Sequence, residues 1–136
     1  MRISKHLKDW NESDLFYWLS QNYYNLLVNT NEGFSRFDCY DIETKNRIEL
    51  KCRKKHYDDL IIEKTKFDSL VNISNVTGDV PVYINSTPKG IFLFYLKNID
   101  IEWFEKSLPT TTDFDNKNKI QKKISKINIK DSIKLK

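Results

Sequence analysis

Residues 48–53 read "IELKCR", and their alternation decides how the centre of the chain folds. Successive side chains of a strand point to opposite faces. Ile48, Leu50 and Cys52 therefore fall on one face, and Glu49, Lys51 and Arg53 on the other. The preceding stretch "SRFDCYDIE", Ser35 to Glu43, reads as a partner strand joined through a polar turn at Thr44 and Lys45. Pairing about that turn puts Asp38 opposite Lys51 and Tyr40 opposite Glu49. One face then carries Arg36, Asp38, Tyr40, Glu49, Lys51 and Arg53; the other carries Phe37, Cys39, Ile48, Leu50 and Cys52. A one-residue slip would bring Asp41 opposite Glu49, but it would also set Ile48 and Leu50 beside Asp38 and Tyr40 and spoil the apolar side.

The polar face has two readings. A half-exposed strand with mixed charge in water is the plain one. The chemical one starts from two carboxylates on neighbouring strands, which can share a hard divalent cation such as Mg²⁺ that prefers oxygen ligands. Such a cation acidifies a bound water and offsets charge building on a phosphate. A lysine two residues from the carboxylate can position that water, and Arg36 and Arg53 would then contact backbone phosphates.

Outward from the hairpin, "NESDLFYWLSQNYYNLLVN" (11–29) reads as a helix capped by Asn11, with Glu12 and Asp14 in its first turn. Leu60-Ile61-Ile62 reads as a strand and "EKTKFDSLVNIS" as a second helix. "VPVYINS" and "GIFLFYLKN" read as central strands around a "TPKG" turn. "SLPTTTDF" reads as a loop. The spacing of Ile120, Ile124 and Ile127 predicts a basic amphipathic helix in the C-terminal segment. The expectation is one domain over 1–114, followed by a basic segment over 115–136.

This order of elements, with an acid on one strand and Glu-x-Lys on the next, resembles the PD-(D/E)xK nuclease superfamily. The run "IELKCRKKHYDDLIIEKTKFDSL" resembles its small phage-type members, which are related to Holliday junction resolvases. The resemblance spans roughly residues 12 to 96. It implies an α+β fold in α/β/α layers, a mixed central sheet of about 4–5 strands and a restriction-endonuclease-like core. It also implies a Mg²⁺- or Mn²⁺-dependent endodeoxyribonuclease, with Asp38 and Glu49 as metal ligands, Lys51 as the catalytic lysine and the Leu50 carbonyl completing the metal shell. Lys66 resembles a residue that steadies a phosphate. Glu63 is either a further acid at the edge of the site or a helix N-terminal acid, and Glu12 is either an auxiliary acid or, more simply, part of a helix cap. Arg36, Arg53, Lys54, Lys55, Lys122 and Lys123 are the expected DNA contacts. Phe37 stands where some members have proline before the acid. Symmetric two-strand cleavage needs two sites and so points to a homodimer. The other reading is a catalytically inactive protein of the same fold that binds nucleic acid or another protein.

Composition bounds the rest. A chain of 136 residues, 39% hydrophobic and 13% aromatic, can build one core. The net charge of +4 is unevenly spread, because residues 115–136 hold eight lysines against Asp115 and Asp131. That cluster suits sequence-independent phosphate binding. No run is long and apolar enough for a membrane span, and the N-terminus lacks a signal-peptide core. Two cysteines make no disulfide framework. The expected compartment is the cytoplasm, the host's if the source is viral. Neither a phosphate-cradling nor a dinucleotide-binding glycine loop is present.

Overall fold

The hairpin sits at the centre of a mixed sheet. The computed structural model describes residues 6–30, 39–109 and 119–136; Arg36 and Asp38 lie outside these. Strand β2 (Cys39–Asp41) runs antiparallel to β3 (Asn46–Cys52), with Cys39 opposite Ile48, Tyr40 opposite Arg47 and Asp41 opposite Asn46. This pairing lies two residues from the expected one, so Tyr40 faces Arg47 and not Glu49. A shift of two keeps every side chain on its face.

Asp41 is the cause of the shift. Its carboxylate is fully buried and accepts hydrogen bonds from the Thr44 N–H (2.8 Å), the Thr44 hydroxyl (2.7 Å) and the Leu26 N–H (3.1 Å). An aspartate bonded to the backbone ahead of it closes a turn, here the longer one over residues 42–45. Lys45 completes it in the left-handed region at φ 60°.

Helix α1 (Glu12–Asn22) begins as expected. The Asn11 side chain accepts from the Asp14 N–H while the Asp14 carboxylate accepts from the Asn11 N–H, both at 2.9 Å. It ends earlier than expected. The N–H groups of Tyr23 and Tyr24 both donate to the Leu19 carbonyl, and Tyr24 turns inward, where its phenol oxygen accepts from Asn46 Nδ2 at 2.7 Å. The chain then continues as edge strand β1 (Leu27–Asn29), paired with β2.

Beyond β3 come β4 (Asp59–Glu63), α2 (Lys64–Thr77), β5 (Val80–Thr87) and β6 (Gly90–Tyr95). Gly78 stops α2 in the left-handed conformation, at φ 79°. Strand β5 is parallel to β3, so Glu49 lies beside Tyr83 and Lys51 beside Asn85. With β9 (Ile133–Lys134) the described sheet has six strands in the order β1-β2-β3-β5-β6-β9, one or two more than expected. A second sheet orders as β4-β8-β7, from β7 (Phe104–Pro109) and β8 (Lys119–Asn128).

The C-terminal helix is not there: residues 119–128 are a strand, and Ser107 to Pro109 belong to β7 and not to a loop. The isoleucine spacing misleads because β8 is the middle strand of its sheet. Both of its faces can be covered, so Ile124 and Ile127 are buried although they lie on opposite sides, while Ile120 is exposed. The segment is also integral to the fold. The Leu135 N–H donates to the Ile91 carbonyl at 2.8 Å and the Ile91 N–H to the Lys136 carbonyl at 3.1 Å. A Cβ on Gly90 would stand 2.3 Å from the Lys136 carbonyl oxygen, so that approach needs glycine.

The main sheet buries both faces. Ile48, Leu50, Val82, Ile84, Ile91 and Leu93 pack with Leu15 and Leu19 of α1. Tyr83, Phe92 and Phe94 pack on the other side with Leu70 of α2, Leu60 and Ile62 of β4, and Ile127 of β8. The result is an α+β fold with a restriction-endonuclease-like core, and Glu49 and Lys51 point to its α2 side.

Candidate active site

Glu49 is only 8% exposed, which an ordinary solvated strand face would not produce. A carboxylate so nearly removed from water needs a cationic partner. Lys66, in the first turn of α2, supplies one: its Nζ lies 3.1 Å from Glu49 Oε1. Burial lowers the Lys66 pKa, but the charge and hydrogen bond of Glu49 outweigh it and hold the ammonium above its ordinary range.

Lys51, one step along the same face, is half-buried. Burial pushes its pKa down, and the charges of Lys66 and Arg53 push the same way; Glu12 and Glu63 partly offset them. Glu12 from α1, Glu63 from the end of β4 and Lys66 from α2 thus all act on the lysine of β3. Glu63 precedes α2 but makes no side-chain cap; its Oε1 meets Lys122 Nζ of β8 at 2.8 Å. The cap of α1 is made by Asn11 and Asp14, so Glu12 is not needed for it.

The structure therefore brings Glu49, Lys51, Glu63, Lys66 and Lys122 into one neighbourhood, with the charge of Glu12 felt at Lys51 from α1. Arg53 adjoins them but is tied inward: its guanidinium donates to Asn85 Oδ1 (2.8 Å), the Ile61 carbonyl (2.6 Å) and the Tyr83 hydroxyl (3.1 Å). Lys54 and Lys55 are exposed in the bend after β3. Lys123 points away from Lys122 and sits opposite Glu105 of β7. Cys39 and Cys52 form no disulfide with each other and pack on the α1 side, away from this cluster.

Two residues of the neighbourhood were not singled out in the sequence. Tyr83 and Asn85 share the face of Glu49 and Lys51, through β5. Burial raises the Tyr83 pKa, which keeps the phenol neutral, and its hydroxyl donates to the Ile61 carbonyl at 3.1 Å. Asn85 is fully buried, and its Nδ2 has no hydrogen-bond partner among the described residues. An asparagine inside the apolar run "VPVYINS" is the signal that could have found it, since a buried amide is costly unless it is used.

The donors at this cluster are oxygens, which suits a hard cation. Among the described residues, no three His, Cys, Asp or Glu side chains stand close enough together to hold a metal. The second carboxylate expected, Asp38, lies outside those residues.

The architecture places the chain in a known structural class. It superposes on a Holliday junction resolvase, Hjc, from the archaeal hyperthermophile Archaeoglobus fulgidus, with a TM-score of 0.60 over 91% of this chain and 96% of that one. The two sequences are 17% identical, so the likeness is one of fold. No family model and no curated protein matches the chain. No helix among the described residues is long and apolar enough to cross a membrane.

Proposed function

We propose that the chain is a divalent-metal-dependent DNA endonuclease that hydrolyses phosphodiester bonds, with branched DNA as its preferred substrate. The single observation that carries this is Glu49: a nearly buried carboxylate ion-paired to Lys66 and sharing its strand face with Lys51, at the α2 side of a resolvase-like sheet. A buried carboxylate beside two lysines whose pKa values are displaced in opposite directions is a pattern that functional sites use.

Asp38, Glu49 and the Leu50 carbonyl would hold Mg²⁺ or Mn²⁺. When bound, the ion supplies acidity to a water and offsets phosphate charge. Asp41 does not compete for this role, because the turn takes up its carboxylate. Lys51 donates to the phosphate or to the attacking water; a lysine with a lowered pKa hands over a proton more readily. Lys66 exchanges Glu49 for a phosphate oxygen when substrate arrives. Glu63 holds Lys122 toward the DNA, and Glu12 is an auxiliary acid. Lys54, Lys55, Lys123 and Arg36 add phosphate contacts, while Arg53 braces the site from behind. Paired nicking of a junction asks for two copies of the site, hence a homodimer. Resolution of recombination or replication intermediates, in a phage setting, is the biological reading.

The test is a cleavage panel with Mg²⁺ or Mn²⁺ over duplex, single-stranded, flap and four-way-junction DNA. Metal-dependent cutting with the branched substrates favoured is expected. Binding without cutting on every substrate and with both metals would point to an inactive nucleic-acid-binding protein of this fold.

A further inference from the structure

Beside the cluster, the outer face of the second sheet carries a cleft of about 530 Å³. Its walls include Arg53, Tyr57 and Ile61, with Lys106 from β7 and Lys126 from β8. We propose that this cleft receives an unpaired nucleotide of the DNA strand that runs into the Glu49–Lys51 cluster. The inference rests on the nuclease reading for where the strand leads, and on the cleft itself for what it holds.

Size favours a single nucleotide. A space of this volume is about 8 Å across if equant, while the major groove of a duplex alone is about 12 Å wide. It lies within the roughly 300–1,000 Å³ of small-ligand sites. Chemistry favours it too. Tyr57 is 59% exposed, an aromatic ring on which a base can stack, and Lys106 and Lys126 line the same cleft for the phosphates. Asp58 and Asp59 also line the cleft; Asp58 hydrogen-bonds His56 at 3.0 Å and Asp59 accepts from Asn128 Nδ2 at 2.9 Å, which orients both carboxylates without cancelling their charge, so the phosphate contacts fall to the two lysines.

Continuity gives the direction of the strand. Lys126 is paired with Ile61, Lys106 with Lys122, and Ile124 with both Glu63 and Phe104. Residues paired in a ladder share a face. Lys126, Lys106 and Lys122 therefore share one face with Glu63, which lies beside them, is ion-paired to Lys122 and acts on Lys51. Arg53 belongs to both places: it lines the cleft and follows Lys51 by two residues, roughly 7 Å along an extended chain. That is about two stacked nucleotide steps. A duplex would have to open for its strand to lie here, so the cleft favours substrates that already carry unpaired nucleotides near the cut.

The experiment measures binding without divalent metal, in EDTA, to a fluorescent oligo-dT and to a blunt duplex of equal length. Tyr57→Ala should weaken oligo-dT binding about 5- to 100-fold and leave duplex binding unchanged, with Tyr57→Phe close to wild type. Lys106→Ala and Lys126→Ala should each lower the salt slope for oligo-dT by about 0.7. Wild-type protein that does not bind oligo-dT, Tyr57→Ala that binds it within twofold of wild type, or equal losses on oligo-dT and duplex would each overturn the proposal. Cleavage is assayed in parallel with Mg²⁺. A protein that binds oligo-dT through Tyr57 yet cuts nothing upholds the nucleotide site and sinks the nuclease reading.

Discussion

Aspartates 38 and 41 are three residues apart, and the proposed function gives them different work. Asp41 satisfies three donors at full burial. Asp41→Ala strands the Leu26 and Thr44 N–H groups, so it should destabilise the protein by about 1–3 kcal/mol, measured by urea unfolding. Asp38→Asn should leave unfolding unchanged and weaken Mn²⁺ binding in a titration. The opposite pairing of effects would reassign the metal ligand. Strand parity made the face of Asp41 legible in the sequence, since it falls on the side of Cys39 and Ile48. What was not legible was how Asp41 is satisfied: the turn folds back over it, supplies its donors and excludes water.

Elements β2, β3 and the link from α2 to β5 meet at Asp79. Its carboxylate accepts from Tyr40, Arg47 and Thr77, and the Arg47 guanidinium lies over the Tyr40 ring at 5.1 Å. Burial pushes the Asp79 pKa up, but the hydrogen bonds from Thr77, Arg47 and Tyr40 and the Arg47 charge outweigh it and hold it below the ordinary range. A carboxyl depressed on folding stabilises the native state above its unfolded pKa of about 3.9, and that stability is lost as pH falls through the lower folded value. Unfolding midpoints from pH 7 to pH 2 should therefore fall less steeply in Asp79→Asn than in wild type, from a lower starting point at pH 7. Parallel pH profiles would remove Asp79 from acid unfolding. The same junction shows the limits of pattern reading. The alternating hairpin and the two apolar strands β5 and β6 are legible because their periodicity has one interpretation. The isoleucines of β8 are not, since a middle strand buried on both sides and a helix with one apolar stripe give the same spacing. Register was likewise ambiguous by two residues, because such a shift leaves the apolar and polar faces unchanged.

Across the whole molecule, charge and fold cooperate. The lysines of the C-terminal segment look like a detached basic tail in the sequence, yet β8 lies between β4 and β7 and delivers Lys122 to Glu63 and Lys126 to the cleft. Long-range pairing of this kind leaves no local signature, which is why Glu49, Lys51, Glu63 and Lys66 were legible as a candidate site from one contiguous stretch while Lys106, Lys126 and Asn85 were not. If Glu49 and Lys51 form a hydrolytic centre, losing either must stop the chemistry and spare both fold and DNA binding. The direct measurement is single-turnover cleavage of a four-way junction in Mn²⁺ by wild type, Glu49→Gln and Lys51→Ala, with junction affinity and thermal unfolding recorded for each. Lys51→Ala should cut about 10²–10⁴-fold more slowly, and Glu49→Gln should lose at least about two orders of magnitude, with affinity and unfolding close to wild type. Wild-type cleavage rates in both folded variants would place the chemistry elsewhere in the molecule.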